Sequence, residues 1–203
     1  MRKVGLGGTH PLTQRYVYGA QMNKNQILRE FRCKSLSVIK KFKALAPETI
    51  KTIKVDAASL SDDLNVKRIH DEFPTNSLML APNYLYIVEF AESITTEQIK
   101  NSRETFRRVR ESKDINFSRD NIDNASSHTL YVGTSQGIKE RFRTHLGVGK
   151  GRSTWALYLS EWLNEEVTIT TVPLLHFTQD ESQLLEDVIW DSCKPMFGKK
   201  GGK

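Results

Sequence analysis

Apolar residues recur at close to helical spacing from residue 23 to about 45, as Ile27, Leu28, Phe31, Leu36, Ile39, Phe42 and Leu45, with Lys and Arg between them. The spacing predicts one helix, or two with a break near Cys33-Lys34-Ser35, and Pro47 ends it or begins another. Ser59 to Asp63 reads as a loop and cap ahead of a short helix through Ile69. The texture changes over residues 78–90. The second half of that run is β-branched and aromatic, follows Pro82-Asn83, and predicts a buried strand with Tyr84, Tyr86, Val88 and Phe90 on one face. Residues 95 to about 113 predict a helix opened by Thr95-Thr96-Glu97 and carrying Arg103, Arg107, Arg108 and Arg110. Residues 115–127 read as an irregular polar loop. Beyond it come a strand at 129–133, a helix whose apolar stripe is Ile138, Phe142 and Leu146, and a further helix from 155 to about 163. A strand of alternating Val and Thr at 167–175 and a last helix at 182–193, stopped by Pro195, complete the pattern.

This order predicts an α+β fold over residues 77–203, a small three-stranded antiparallel sheet flanked by helices, preceded by a basic, mainly helical N-terminal extension over residues 1–76. There is no internal repeat.

Composition narrows the classes. The 38% hydrophobic and 27% charged content is ordinary for a globular domain. No apolar run approaches a membrane span, and the opening Met1-Arg2-Lys3-Val4-Gly5 lacks the apolar core of a signal peptide. No membrane partner is therefore expected, and the cytoplasm is the default address, close to the nucleoid in a bacterium. Cys33 and Cys193 lie far apart and in no metal-ligand spacing, which predicts neither a disulfide framework nor a zinc site. His10, His70, His128 and His176 likewise have no partner at metal spacing. The net charge of +6 is unevenly placed: residues 1–60 hold twelve Lys or Arg against three acids, and the remainder is acidic by three. That asymmetry suits a polyanion as partner, or a solvated basic surface.

Chemistry concentrates in Tyr131-Val132-Gly133 and the helix after it, where Arg141 and His145 stand four residues apart on one stripe beside the apolar one. The loop Gly147-Val148-Gly149-Lys150-Gly151-Arg152 that follows is basic but is no Walker phosphate loop, because Gly151 follows the Gly-Lys pair and no strand leads directly into it. Trp155, Tyr158 and Trp162 fall at helical spacing and read as core rather than as base-stacking platforms. In the last helix Glu186 shares its stripe with Trp190 and Cys193, apart from Asp187 and Asp191.

The spacing from Tyr131 to Arg141 and His145 fits Tyr-x9-Arg-x3-His and, with Tyr131-Val132-Gly133, resembles the second half-motif of the GIY-YIG endonuclease family. Tyr86, in Tyr84-Leu85-Tyr86, takes the place of the tyrosine in the first half, with Tyr84 where glycine is usual. The gap between the half-motifs is several times the family's own, so residues 91–128 look like an insertion. Leu184-Leu185-Glu186 followed by Lys194-Pro195 resembles the family's Leu-Glu-to-Pro ending, with Gly198 where Asn is frequent.

The resemblance implies a divalent-metal-dependent DNA endonuclease that leaves 5′-phosphate and 3′-hydroxyl ends. Glu186 would hold Mg²⁺ (or Mn²⁺), which keeps its waters and needs few protein ligands. Arg141 would meet the phosphate with its planar fork, Tyr86 or Tyr131 would take the proton from water, and His145 would orient or relay. Lys139, Lys150, Arg152, Arg107 and Arg108 are the expected DNA contacts, and no small-molecule cofactor is implied. Two alternatives stand beside this reading. Tyr84 and Gly198 point to a DNA-binding module whose catalysis has lapsed, and the basic N-terminal helices to an interaction protein that binds RNA or an acidic protein.

Overall fold

In the computed structural model, which describes residues 24–45, 47–74, 83–148 and 153–201, four strands form one antiparallel sheet. They are β1 (Lys51–Val55), β2 (Asn83–Phe90), β3 (Thr129–Ser135) and β4 (Val167–Leu174), lying side by side as β1, β4, β2, β3. Six α-helices occur among the described residues: α1 (Lys24–Lys43), α2 (Ala57–Leu60), α3 (Asp63–Glu72), α4 (Thr96–Ser112), α5 (Ile138–Leu146) and α6 (Gln179–Cys193). The fold is α+β, and the expectation of three strands is corrected to four. The extra strand, β1, comes from the N-terminal segment and pairs along the first five residues of β4's outer edge, from Lys51 opposite Thr171 to Val55 opposite Val167. Only Ile53 and Val55 of its five residues are buried, too short an alternation among lysines to stand out as a strand.

β2 runs through the middle of the sheet and is apolar on both faces, as a strand covered on both sides must be. Tyr84, Tyr86, Val88 and Phe90 enter the larger core, with Ile53, Val55, Ile169, Ile99, Ile138 and Phe142. Leu85 enters the smaller one, with Val132, Val172, Leu174 and Leu185 of α6. The β2–β3 register slips once, between Val88 and Glu89, which leaves Leu130 with no residue opposite. This bulge turns both Leu130 and Tyr131 toward the larger core, where strict alternation would separate them.

The helices position this sheet by specific contacts. Asp62 caps α3 by accepting from Leu64 N–H, and at the helix's far end Phe73 stacks on Phe142 of α5 with ring centroids 4.2 Å apart. Thr178 opens α6 with a capping box to Glu181, whose carboxylate also takes Lys41 Nζ of α1 at 2.5 Å. α1 runs unbroken past Cys33. The stretch from residue 155 to 163 is not a helix; it holds one 3₁₀ turn, Leu159–Glu161, and Tyr158 before it sits at φ 49°, ψ 56°, outside helical space. Its backbone serves another purpose. Ala156 N–H donates to Asn116 O at 3.2 Å, and Ala156 O accepts from Ser118 N–H at 2.8 Å, in a parallel bridge to the segment after α4.

That segment is more ordered than its polar sequence suggests. Phe117 is buried against Phe106, and Asp120 pairs with Arg103 at 2.7 Å and with Arg107 at 2.5 Å. Removing one partner of a buried pair strands the other charge, whereas an exposed pair contributes little. Asp120→Ala is expected to cost about 3 kcal/mol in denaturant unfolding, and Glu166→Ala, which removes the exposed partner of Lys54, less than about 1 kcal/mol. Equal effects would mean that the Asp120 cluster does not anchor the segment.

Candidate active site

The register places Gly133 of β3 directly opposite Tyr86 of β2. A Cβ on Gly133 would lie 2.6 Å from Tyr86 Oη and 2.9 Å from the Tyr131 ring, so the missing side chain is the space the two phenols occupy. The rings of Tyr86 and Tyr131 are parallel within 5°, with centroids 5.9 Å apart. Gly198, at φ 99°, closes the other side: its Cβ would lie 2.8 Å from Tyr131. Position 198 therefore demands glycine twice, for its backbone and for its neighbour.

α5 brings Arg141 and His145 over this pair from one stripe, as their spacing predicts. Arg141 Nε donates to Tyr86 Oη at 3.0 Å, and a terminal guanidinium nitrogen donates to Tyr131 Oη at 3.1 Å. Burial works against the guanidinium's charge, but the two phenols outweigh it and hold the group above its ordinary range. His145 is fully buried; Leu157 N–H donates to its Nδ1 at 3.2 Å, and its Nε2 lies 3.3 Å from Tyr86 Oη. Burial, reinforced by Arg141, pushes the imidazole well below its ordinary value, so the ring is neutral at neutral pH. With Nδ1 accepting, the network assigns the single proton to Nε2, which donates to Tyr86. Tyr86 Oη then faces two N–H donors. Burial nonetheless raises its pKa above that of an ordinary phenol; Tyr131 adds to the rise, and Arg141 opposes it.

Glu186 approaches from the opposite face of the sheet. Thr134 points the other way from Gly133, and its Oγ1 donates to Glu186 Oε2 at 2.6 Å. Glu186 is 6% exposed and has no ion-pair partner among the described residues. Burial raises its carboxyl above the ordinary value, against the pull of hydrogen bonds from Thr134 and Gln183. Tyr86, Tyr131, Arg141, Thr134 and Glu186 line one cleft of about 710 Å³ along the β3 edge, and His145 is buried behind them.

Tyr86, Tyr131, Arg141, His145 and Glu186 are thus gathered in one place, the first four in mutual contact and Glu186 on the facing wall. Of the expected DNA contacts, Lys139, Arg107 and Arg108 do not line the cleft. Lys139 pairs with Asp71 of α3 at 3.0 Å, Arg107 is engaged by Asp120, and Arg108 is exposed on α4. Lys150 and Arg152 fall outside the described residues. Sequence reasoning missed Thr134, Gln179 and Gln183, although Gln179, Gln183 and Glu186 recur at helical spacing and all line the cleft. It also missed Ser118, Arg119 and Trp155, which reach the cleft from segments distant in the chain. No protein-family model, curated protein or solved structure matches this chain.

The buried neutral histidine has a thermodynamic signature. Its folded pKa lies below the ordinary 6.5, so the unfolded chain binds a proton first as pH falls, and stability is lost from that value downward. Native protein is expected to lose an extra 1.4 kcal/mol or so per pH unit below about pH 6, a slope absent in His145→Gln, as read by denaturant unfolding at several pH values. Gly133→Ala is expected to destabilise by about 1–3 kcal/mol and to displace the Tyr86 ring in a crystal structure of the variant.

Proposed function

We propose that the chain is a GIY-YIG-type endonuclease that hydrolyses DNA phosphodiester bonds with one divalent ion and leaves 5′-phosphate and 3′-hydroxyl ends. The observation that carries the reading is the Arg141 guanidinium spanning two tyrosine hydroxyls at the mouth of a cleft whose facing wall presents Glu186. A cation of fixed charge and planar fork suits a phosphate whose negative charge grows in the transition state. DNA would supply that phosphate, drawn by the excess of Lys and Arg over residues 1–60 and by exposed Arg108 and Arg110 on α4. Such contacts follow the backbone and read no sequence.

The donor set at Glu186 fits a hard ion. It is a carboxylate beside the Thr134 hydroxyl and the Gln179 and Gln183 amides, oxygen donors of the kind Mg²⁺ or Mn²⁺ takes, and the nearby imidazole is committed to Leu157 and Tyr86. No cluster of three or more His, Cys, Asp or Glu able to hold an ion occurs among the described residues, so Glu186 would be the main protein ligand. Bound there, the ion would neutralise charge developing on the phosphoryl and leaving oxygens.

The chain's own groups divide the remaining work. Water forms the new bond to phosphorus, its proton passes to the Tyr86 phenolate, the bond to the 3′-oxygen breaks, and that oxygen takes a proton from solvent water to leave as the 3′-hydroxyl. The two N–H donors from Arg141 and His145 meet two of the three lone pairs of the Tyr86 phenolate and stabilise it, leaving the third to accept this proton. Neutral His145 holds that geometry through its contact with Leu157. Tyr131 keeps the far arm of the Arg141 fork in place.

Plasmid nicking in Mg²⁺ tests the reading. Glu186→Ala, Tyr86→Phe and Arg141→Lys are each expected to lower the rate about a hundredfold or more; cleavage that survives Glu186→Ala rules out this site. Salt-sensitive DNA binding without cleavage in Mg²⁺ or Mn²⁺ would instead favour the lapsed binding module, for which the sparse set of ion ligands is the supporting observation. Because burial holds the Tyr86 phenol above its ordinary value, the base form is scarce at neutral pH and grows as pH rises. The cleavage rate is expected to climb roughly tenfold per unit between about pH 7 and 9, and a plateau in that range would exclude Tyr86 as the base.

A further inference from the structure

The cleft has a second wall that the hydrolytic mechanism does not use. It is built by the segment after α4, threaded between two others. Asn116 Nδ2 donates to Ser153 O at 2.9 Å, Phe117 bridges to Ala156, and Gly198 N–H donates to Arg119 O at 2.8 Å. The Asp120 cluster with Arg103 and Arg107 holds this segment from behind. Three side chains of unlike chemistry, Ser118, Arg119 and Trp155, line the cleft from this wall. Trp155 is 59% exposed, an unusual state for an indole in a chain whose Trp162 is 3% exposed. Ser118 is 2% exposed, yet its hydroxyl has no hydrogen-bond partner, and a buried hydroxyl left unpaired is costly. An aromatic face, a guanidinium and an unsatisfied hydroxyl along one cleft suit three contacts that a nucleotide offers: the face of its base, its phosphate, and a polar edge to pair.

We propose that Ser118, Arg119 and Trp155 form a subsite for one unstacked nucleotide of the DNA strand, next to the phosphate held by Arg141. The assignment of that neighbouring phosphate rests on the nuclease reading; the contact with the base does not. Inside a duplex both faces of a base are covered by its neighbours, so a stacking tryptophan selects DNA whose nucleotide beside the scissile bond is unpaired, as at a flap, gap or junction.

Tryptophan fluorescence of the full chain without divalent ion, titrated with a dT oligomer of about ten nucleotides, tests the subsite separately from cleavage. The oligomer is expected to quench the wild type. Trp155→Leu should abolish most of the quench and weaken oligomer binding about tenfold, while binding of a blunt duplex, read by anisotropy, changes less than about twofold. Ser118→Ala, a milder change inside the wall, should weaken the oligomer selectively as well. Absence of quenching in the wild type, or equal effects of Trp155→Leu on oligomer and duplex, would overturn the subsite. So would tighter binding of an rU oligomer than of dT, which would assign the wall to RNA. Quenching that persists in a wild type unable to cleave any DNA would remove the hydrolytic reading and leave the subsite standing.

Discussion

The pairing of Tyr86 with a bare Gly133 across β2 and β3 is the constraint on which the cleft depends. A buried phenol needs partners for its oxygen, and among the described residues they come from α5, one of whose turns carries both Arg141 and His145. Any side chain at position 133 would push the phenol away from both. The helix is held in turn by Phe142, which packs edge-on against Tyr86 and flat against Phe73 from the N-terminal segment. Residues far apart in the chain thus fix the position of one hydroxyl.

The electrostatics of the cluster follow from its dryness. Four polar groups share a largely buried volume, where an unmet donor or charge is costly and a met one is strong. Arg141 keeps its charge because two phenols receive it, and His145 loses the capacity for charge because burial and Arg141 both oppose a second cation. The outcome is one permanent positive charge at the edge of the cleft and, across from it, a carboxylate without a counter-ion among the described residues. A substrate that brings a phosphate to the first and a cation to the second would neutralise both.

The segment from residue 91 to 128 is part of the architecture and not an appendage to it. α4 buries Ile99 and Phe106 in the main core, and Arg103 and Arg107 grip Asp120 so that the following residues lie against both Ala156 and Phe197. The chemistry on one wall is thereby joined to a differently composed wall opposite, which gives the cleft the means to distinguish among substrates that share a phosphate.

Local periodicity by itself determined much of this protein. The extents of α1 and α4 to within two residues, the presence of α6 and of strands beginning near 83, 129 and 167, and the shared stripe of Arg141 and His145 all follow from spacings that a pleated strand or a helix turns into faces. What local pattern could not determine was anything decided by a partner distant in the chain. β1 exists because β4 offers a free edge, and Trp155 stays exposed while Trp162 is buried because Ala156 is held by backbone bonds to Asn116 and Ser118 and not by a helix. Gly198 looks like a lost side chain until Tyr131 is seen to fill the space beside it. Helical and strand periods are encoded in neighbouring residues, whereas edges, close approaches and the walls of a cleft are properties of residues that meet only when the chain has folded.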